Sequence, residues 1–432
     1  MGKPYTNKCI IIFLGVVIMN RIYLCIDLKT FYASVECVLR DLDPFKTDLI
    51  VADETRGDGT ICLAISPKMK ARGIKNRCRM WEIPKNVKPI IAKPRIKKYI
   101  EYSAKVYRIY LKYISKEDIH PYSIDEMFLD ATSYLKLYKK TPYEFAKMIL
   151  KDIYDTLGLT ATAGVGTNLY LAKIALDIIA KHNSDNIGFL NENLYKEKLF
   201  KHTPLTDFWQ IGIGIQNRLF KLNLNNMEDI AHCNPKILYK EFGVNAKYLI
   251  DHANGIEPTT ISDIKNYKTQ NHSLSNSQIL FKDYNYKDAR IVLIEMIDSL
   301  VLDLIKKNLY TSTISFCIGY SKNITHGLKK SIKLEKITNN YSFIISIILK
   351  YYDFSIDKVI PIRKITIRFN TVCKNYEQIS LFDDVKENLN LEKTILDIRN
   401  KYGSNSLLKA VSLSNNATQM VRNNLIGGHN AE

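Results

Sequence analysis

The sequence predicts an α+β chain divided among several domains, and three observations carry that prediction. Between residues 21 and 165, runs of strand and helix period follow in the order strand, helix, strand, strand, helix, strand. That order favours an antiparallel or mixed sheet with helices packed on it. From about residue 186 short helices and polar turns replace the pattern, and a second set of long strands and helices begins near residue 272. Of the 432 residues 46% are hydrophobic, enough for more than one sizeable core.

The elements follow in order. Residues 21–27 read as a strand, and Phe31 to Leu39 as a helix burying Phe31, Val35 and Val38 or Leu39. Leu49-Ile50-Val51-Ala52 is a short strand; the Gly57-Asp58-Gly59 turn leads to Ile61-Cys62-Leu63-Ala64-Ile65. Pro67 opens a basic helix through Lys68, Lys70 and Arg72, which Gly73 closes. An amphipathic helix over 95–114, rich in Tyr and Lys, precedes an acidic pair at a hairpin tip, a helix over 142–156 and a strand over 159–165. Gly164-Val165-Gly166 gives way to a helix from Leu169 to Ala180. Ile211-Gly212-Ile213-Gly214-Ile215 followed by Asn217–Leu222 reads as a helix-hairpin-helix, and residues 256–268 as a linker. Beyond it come a strand near 272–281, a long helix over 286–307, strands at 311–319 and 327–335, a helix near 341–351 and a strand over 362–370. The end of the chain carries one helix near 386–400 and is expected to be mobile.

The formal net charge of +18 favours a polyanionic partner, most simply nucleic acid. Composition bias explains part of it, since Lys outnumbers Arg 48 to 14. The distribution says more: residues 261–375 hold 18 Lys/Arg against 9 Asp/Glu, about half the excess in a quarter of the chain. The eight cysteines form no C-x-x-C, so reduced buried thiols are expected in a cytoplasmic protein, and a structural zinc site is not. Cys9 to Met19 is an apolar stretch behind Lys3 and Lys8, with the outline of a signal peptide but no small-residue cleavage site after it. It is short for a membrane span. Residues 1–18 are therefore read as an upstream extension, with secretion the alternative and no membrane partner.

Acids at strand ends carry the chemistry. Tyr23-Leu24-Cys25-Ile26 feeds Asp27, and Met127-Phe128-Leu129 leads away from Asp125-Glu126. Buried charge is costly unless paired or bound to metal, so three acids at strand ends suggest a shared cation if the strands are neighbours. Hard divalent cations take carboxylate oxygens and serve phosphoryl transfer. In a regular strand Asp125 and Glu126 would point to opposite faces, so the assignment requires a bend at the pair.

The runs Ile26-Asp27-Leu28-Lys29-Thr30-Phe31-Tyr32-Ala33-Ser34-Val35-Glu36 and Tyr122-Ser123-Ile124-Asp125-Glu126 resemble two signature motifs of Y-family translesion DNA polymerases. Thr162-Ala163-Gly164-Val165-Gly166 with Leu171-Ala172-Lys173-Ile174-Ala175 is a third match, and Ile211-Gly212-Ile213-Gly214 a fourth. The likeness runs from about residue 20 to 385, and the wording of Tyr122–Glu126 and of Ser66-Pro67 through Trp81-Glu82-Ile83-Pro84 is similar to the UmuC-like branch, related to DinB.

The resemblance implies a right-hand polymerase. Its palm spans 19–40 and 93–185, small fingers 41–92, a helical thumb 186–255, the linker 256–268, an α+β little finger 269–375 and a tail 376–432. It implies that Asp27, Asp125 and Glu126, with the Leu28 carbonyl, bind two Mg²⁺ ions, for which Mn²⁺ can substitute. Tyr32 is then the steric gate against a ribonucleotide 2′-OH, Phe31 supports the incoming dNTP, and Lys173 and Lys70 meet the triphosphate. Here the sequence departs from the family, with Pro67 where many relatives offer a Tyr and Lys70 where they offer Arg, a point charge without the guanidinium fork. Gly212 and Gly214 would approach a phosphate of the primer-template DNA, and Arg363, Lys364 and Arg368 would contact its backbone. Gln378-Ile379-Ser380-Leu381-Phe382 is similar to the peptide by which bacterial polymerases dock on the sliding clamp: Gln378 and Ser380 polar, Leu381 and Phe382 apolar. The expectation is a monomeric bacterial enzyme that is error-prone, no segment being left over for a proofreading exonuclease. Two rivals are a catalytically silent DNA-binding repair component and a palm-fold nucleotide cyclase.

Overall fold

The computed structural model describes residues 21–269, 272–321, 326–374 and 385–432. The chain divides into two compact units, one ending at Tyr267 and one running from Lys268 to Ala431.

The first unit is built on a five-stranded sheet of order β5-β6-β1-β7-β8. Its members are β1 (Tyr23–Leu28), β5 (Ile119–Pro121), β6 (Glu126–Asp130), β7 (Ala161–Gly166) and β8 (Ile187–Leu190). Central β1 is antiparallel to both neighbours, whereas β8 lies parallel to β7. Both faces of β1 are covered, which is why it reads as an almost unbroken apolar run. Leu24, Ile26 and Leu28 pack with Tyr99, Val106, Phe145 and Ile149 of the helices α3 (Ile96–Leu111) and α5 (Pro142–Leu157). Tyr23 and Cys25 face the other way, with Phe128, onto Leu169, Ala172 and Leu176.

Local signals set the helix ends. Thr141 and Glu144 close a capping box at the start of α5, Pro142 takes the first position, and Gly158 ends it in the left-handed conformation (φ 65°). Helix α6 (Leu169–Ile174) lies directly on β7 because two glycines leave it room. A Cβ on Gly164 would sit 2.1 Å from the Ala172 carbonyl oxygen, and one on Gly166 2.2 Å from the Ala172 nitrogen. The expected continuous helix to Ala180 is interrupted: Ala175–Ile179 form one wide π turn and Ala180–His182 a tight one.

A small sheet of order β3-β2-β4 makes the fingers: β2 (Leu49–Val51), β3 (Ala64–Ile65) and β4 (Ile90–Ala92), with the short helix α2 (Pro67–Ala71). After β8 the chain is helical: α7 (Glu192–Leu199), α8 (Ile213–Phe220), α9 (Met227–His232), α10 (Pro235–Phe242) and α11 (Ala246–Ala253). Two expectations need correction here. The palm sheet does not stop at residue 185, since β8 extends it to Leu190. Residues 256–268 are not a bare linker either, because α12 (Ile261–Asn266) forms behind a Thr260–Asp263 capping box and buries Ile261 against Tyr23, Cys25 and Phe128.

The second unit is a four-stranded antiparallel sheet of order β11-β10-β12-β9: β9 (His272–Tyr284), β10 (Leu309–Tyr320), β11 (Leu328–Thr338) and β12 (Ile362–Lys374). Helices α13 (Tyr286–Lys306) and α14 (Tyr341–Ser355) cover one face through Leu293, Ile297, Ile344 and Ile348 against Ile314, Phe316, Ile365 and Ile367. The end of the chain is not a loose tail. Helix α15 (Val385–Tyr402) is followed by a segment anchored on α13, where buried Glu295 accepts the backbone N–H groups of Thr418 (2.8 Å) and Gln419 (3.1 Å). Arg399 and Lys409 both pair with Asp298, at 3.3 and 2.9 Å.

Candidate active site

Side-chain alternation along β1 puts Asp27 on the same face as Cys25, toward α6, and the register places Glu126 directly opposite Asp27. The bend the acidic pair requires is present. Strand β6 begins at Glu126, and Asp125 belongs to the preceding turn, its carbonyl accepting from the Leu28 N–H at 3.0 Å. Ser123 builds that turn: its hydroxyl donates to Asp125 Oδ1 at 2.6 Å and accepts the Glu126 N–H at 3.0 Å. Leu28 has a buried side chain, so only its backbone can serve the site.

Asp27, Asp125 and Glu126 are thus neighbours, but they do not stand as a closed cage. Among the described residues no three His, Cys, Asp or Glu side chains converge as a ready-made metal site. Glu126 is turned inward, its Oε1 accepting from the Cys25 thiol at 3.1 Å and its Oε2 2.8 Å from Lys173 Nζ. Electrostatics nonetheless mark the place as short of positive charge. Burial, with Asp125 and Glu126 nearby, pushes the Asp27 carboxyl up to about 7 against the downward pull of Lys181. A hard cation coordinated by these oxygens would relieve both the burial and the like charges, so the residues fit a divalent metal.

Lys173 is 7% exposed and held between Glu126 and Asp177, the latter at 3.0 Å, so in this structure two carboxylates engage its ammonium. Burial alone would lower its pKa, but Cys25, Glu126 and Asp177 raise it above the ordinary lysine value. The cation on the open side is Lys181, which the sequence reading passed over. Its Nζ lies 2.7 Å from Asp177 Oδ1 and 3.8 Å from Asp27 Oδ2, with the side chain 42% exposed. The signal was available: Lys173, Asp177 and Lys181 recur every fourth residue, the spacing of one helix face.

Tyr32 stands in the first turn of α1 (Phe31–Val38), half-buried, behind Thr30, whose backbone is in the left-handed region at φ 45°. Its ring stacks on Tyr99 with centroids 4.2 Å apart and planes at 16°. Phe31 points into the core and is 3% exposed, the burial that the helix pattern predicts. In the fingers, Lys70 is exposed, whereas Arg72 and Lys68 are both engaged by Asp48 at 3.1 Å.

Gly212 caps α8 with an extended backbone (ψ 171°), and neither Gly212 nor Gly214 has anything within 4 Å of a would-be Cβ. The helix start is therefore open to a ligand's backbone. In the second unit Lys364, Thr366 and Arg368 alternate onto the sheet face away from the helices, among small hydroxyls: Ser277 to Thr366 at 2.8 Å, Ser315 to Ser331 at 3.2 Å. Arg363 is not in that row, since strand alternation sets it off the face of Lys364, and it lies 3.5 Å from Asp283. Gln378, Ser380, Leu381 and Phe382 lie outside the described residues, as do residues 1–18. No helix among the described residues is long and apolar enough to cross a membrane.

A palm-like sheet with acids at adjacent strand ends, a small fingers sheet, a helical thumb and a separate α+β unit define a right-hand polymerase fold. Comparison with known proteins agrees. The impB/mucB/samB family profile matches residues 26–177, and the profile of that family's C-terminal domain matches 271–381. The chain is 32% identical over 416 residues to "Putative UV-damage repair protein UvrX" of Bacillus subtilis (strain 168), covering 94% of this chain and 97% of that one. It is 27% identical to "DNA polymerase IV 2" of the same organism, covering 95% of this chain and 99% of the relative. Among solved structures, the "Y-family DNA polymerase chimera Dbh-Dpo4(243-245)-Dbh" superposes with a TM-score of 0.62 at 20% identity, over 82% of this chain and all of that one, a likeness of fold. The chain belongs to the impB/mucB/samB family, the Y-family translesion DNA polymerases.

Proposed function

We propose that the protein extends a primer 3′ end opposite damaged template by divalent-metal phosphoryl transfer, with Asp27, Asp125 and Glu126 as the metal carriers. The observation that carries this reading is the pairing of Asp27 with Glu126 across adjacent strands, beside an Asp125 held in a turn by Ser123. When bound, Mg²⁺ (or Mn²⁺ in its place) supplies charge to the attacking oxygen and the leaving pyrophosphate. The chain's own residues do the rest. Lys181 and the exposed Lys70 receive the triphosphate; Lys173 holds Glu126 and the turn behind it. Tyr32 closes the floor beneath the sugar. The exposed start of α8 and the Lys364–Arg368 face grip DNA phosphates, contacts that position the duplex without reading its sequence. Gln378–Phe382 carries the sliding-clamp contact, and the protein works in the bacterial cytoplasm.

Primer extension on undamaged and abasic templates tests the reading. Asp125→Ala or Glu126→Ala should lower extension by about a hundredfold or more while DNA binding persists. Extension at the parental rate by either variant overturns the metal assignment. Deleting residues 378–382 should lower clamp-dependent synthesis and leave distributive synthesis alone.

A further inference from the structure

A steric gate discriminates only as well as its ring resists displacement. Tyr32 is half-buried and close to the chain's acidic turn, and one face of its ring rests flat on Tyr99 of α3. Tyr99 is fully buried, and its hydroxyl donates to Glu36 Oε1 at 2.8 Å. Glu36 is itself fully buried and clamped: Arg95 donates to Oε1 from Nε at 3.0 Å and to Oε2 from Nη2 at 2.6 Å, and Arg40 adds a further bond to Oε2. A bidentate guanidinium–carboxylate pair fixes orientation as well as distance. Phe31 closes the side, 5.6 Å from Tyr32 and 6.5 Å from Tyr99 between centroids. None of Tyr99, Glu36 or Arg95 belongs to the acidic cluster.

We propose that Tyr99, seated by Glu36 and Arg95, is a positioning residue for sugar selection: it is the backstop that keeps the Tyr32 ring from retreating before a 2′-OH. The inference rests on the reading of Tyr32 as the gate. It assigns part of the discrimination to a buried, charge-anchored ring that never touches the nucleotide. Shortening Tyr99 opens space behind Tyr32. Freeing Tyr99 from Glu36 keeps that space filled but lets the ring slide.

Single-nucleotide incorporation of dNTP and rNTP by the full-length protein with Mg²⁺ tests it. Tyr99→Leu should raise rNTP kcat/KM relative to dNTP by about tenfold, and Tyr99→Phe and Glu36→Gln by smaller amounts in the same direction. A gain in ribonucleotide use is something loss of folded enzyme cannot produce. Tyr32→Ala combined with Tyr99→Leu should be no more permissive than Tyr32→Ala alone, because the backstop acts only through the gate. If Tyr32→Ala admits ribonucleotides and none of the three other single variants does, the backstop is overturned and the gate stands. If Tyr32→Ala leaves sugar selectivity unchanged, the gate reading itself falls. Should Tyr99→Leu not fold, Tyr99→Phe and Glu36→Gln decide, since both retain nearly the native volume.

Discussion

Lys173 Nζ lies 2.8 Å from Glu126 Oε2 in a setting where the lysine is 7% and the glutamate 8% exposed. With Asp177 on its other side, this buried ammonium balances two carboxylates. Removing one partner of a buried pair leaves an uncompensated charge and costs more than the pair contributes. Lys173→Met should therefore destabilise the protein by about 3 kcal/mol in urea unfolding without divalent ions. Unchanged stability would show that Glu126 needs no partner in the folded state.

Lys181 does different work, being half-exposed and 3.8 Å from Asp27. Lys181→Ala should raise the KM for dNTP by about tenfold, as expected for loss of a charge-assisted phosphate contact, with DNA affinity little changed. Equal loss of DNA and dNTP binding would place this lysine on the duplex instead.

Glu36 predicts a pH effect. Burial pushes its carboxyl up, but hydrogen bonds from Arg95, Arg40 and Tyr99 outweigh that and hold it below its ordinary 4.5. A carboxylate depressed in the folded state contributes stability fully above its unfolded pKa and loses it as pH falls through the folded one. The stability gap between the parent and Glu36→Gln should be widest above the ordinary glutamate value of 4.5 and narrow as the pH falls below it. Urea unfolding across that range measures it, and a gap independent of pH would mean that the charge on Glu36 is not what stabilises.

The chain's end supplies a fourth prediction. Glu295→Ala strips the Thr418 and Gln419 N–H groups of their buried acceptor, at about 1–3 kcal/mol for each orphaned group. Residues 404–431 should then exchange amide hydrogens faster and become sensitive to protease while the β9–β12 sheet stays protected. Protection equal to the parent's would show that the segment is held by other contacts.

Much of this was legible in the sequence, and the misses share a cause. Asp27 and Glu126 were singled out by the resemblance of their runs to family motifs, since a pair of acids at a hairpin tip would by itself read as solvated, whereas Pro142, Gly158 and the 164–166 glycines mark their elements by backbone need. The surroundings of Lys173 were not legible, because its motif reports a lysine on a helix and says nothing about the two carboxylates packed against it. The same holds for Glu295, whose hold on the end of the chain no local pattern on its long helix announces. Strand β8 escaped notice because four residues with a glycine among them carry too little periodicity, and its partner β7 is what makes it a strand. Arg363 shares a basic run with Lys364 and Arg368, and strand alternation separates it from them.

The contact between Gly164, Gly166 and Ala172, where backbone meets backbone with no room for a methyl group, matters for anyone who would re-engineer the protein. Strand and helix there are a single casting. Libraries aimed at new lesions or unnatural nucleotides will find positions 164 and 166 closed to change, whereas the exposed side of α2 around Lys70 can vary without recasting the base on which the acids stand.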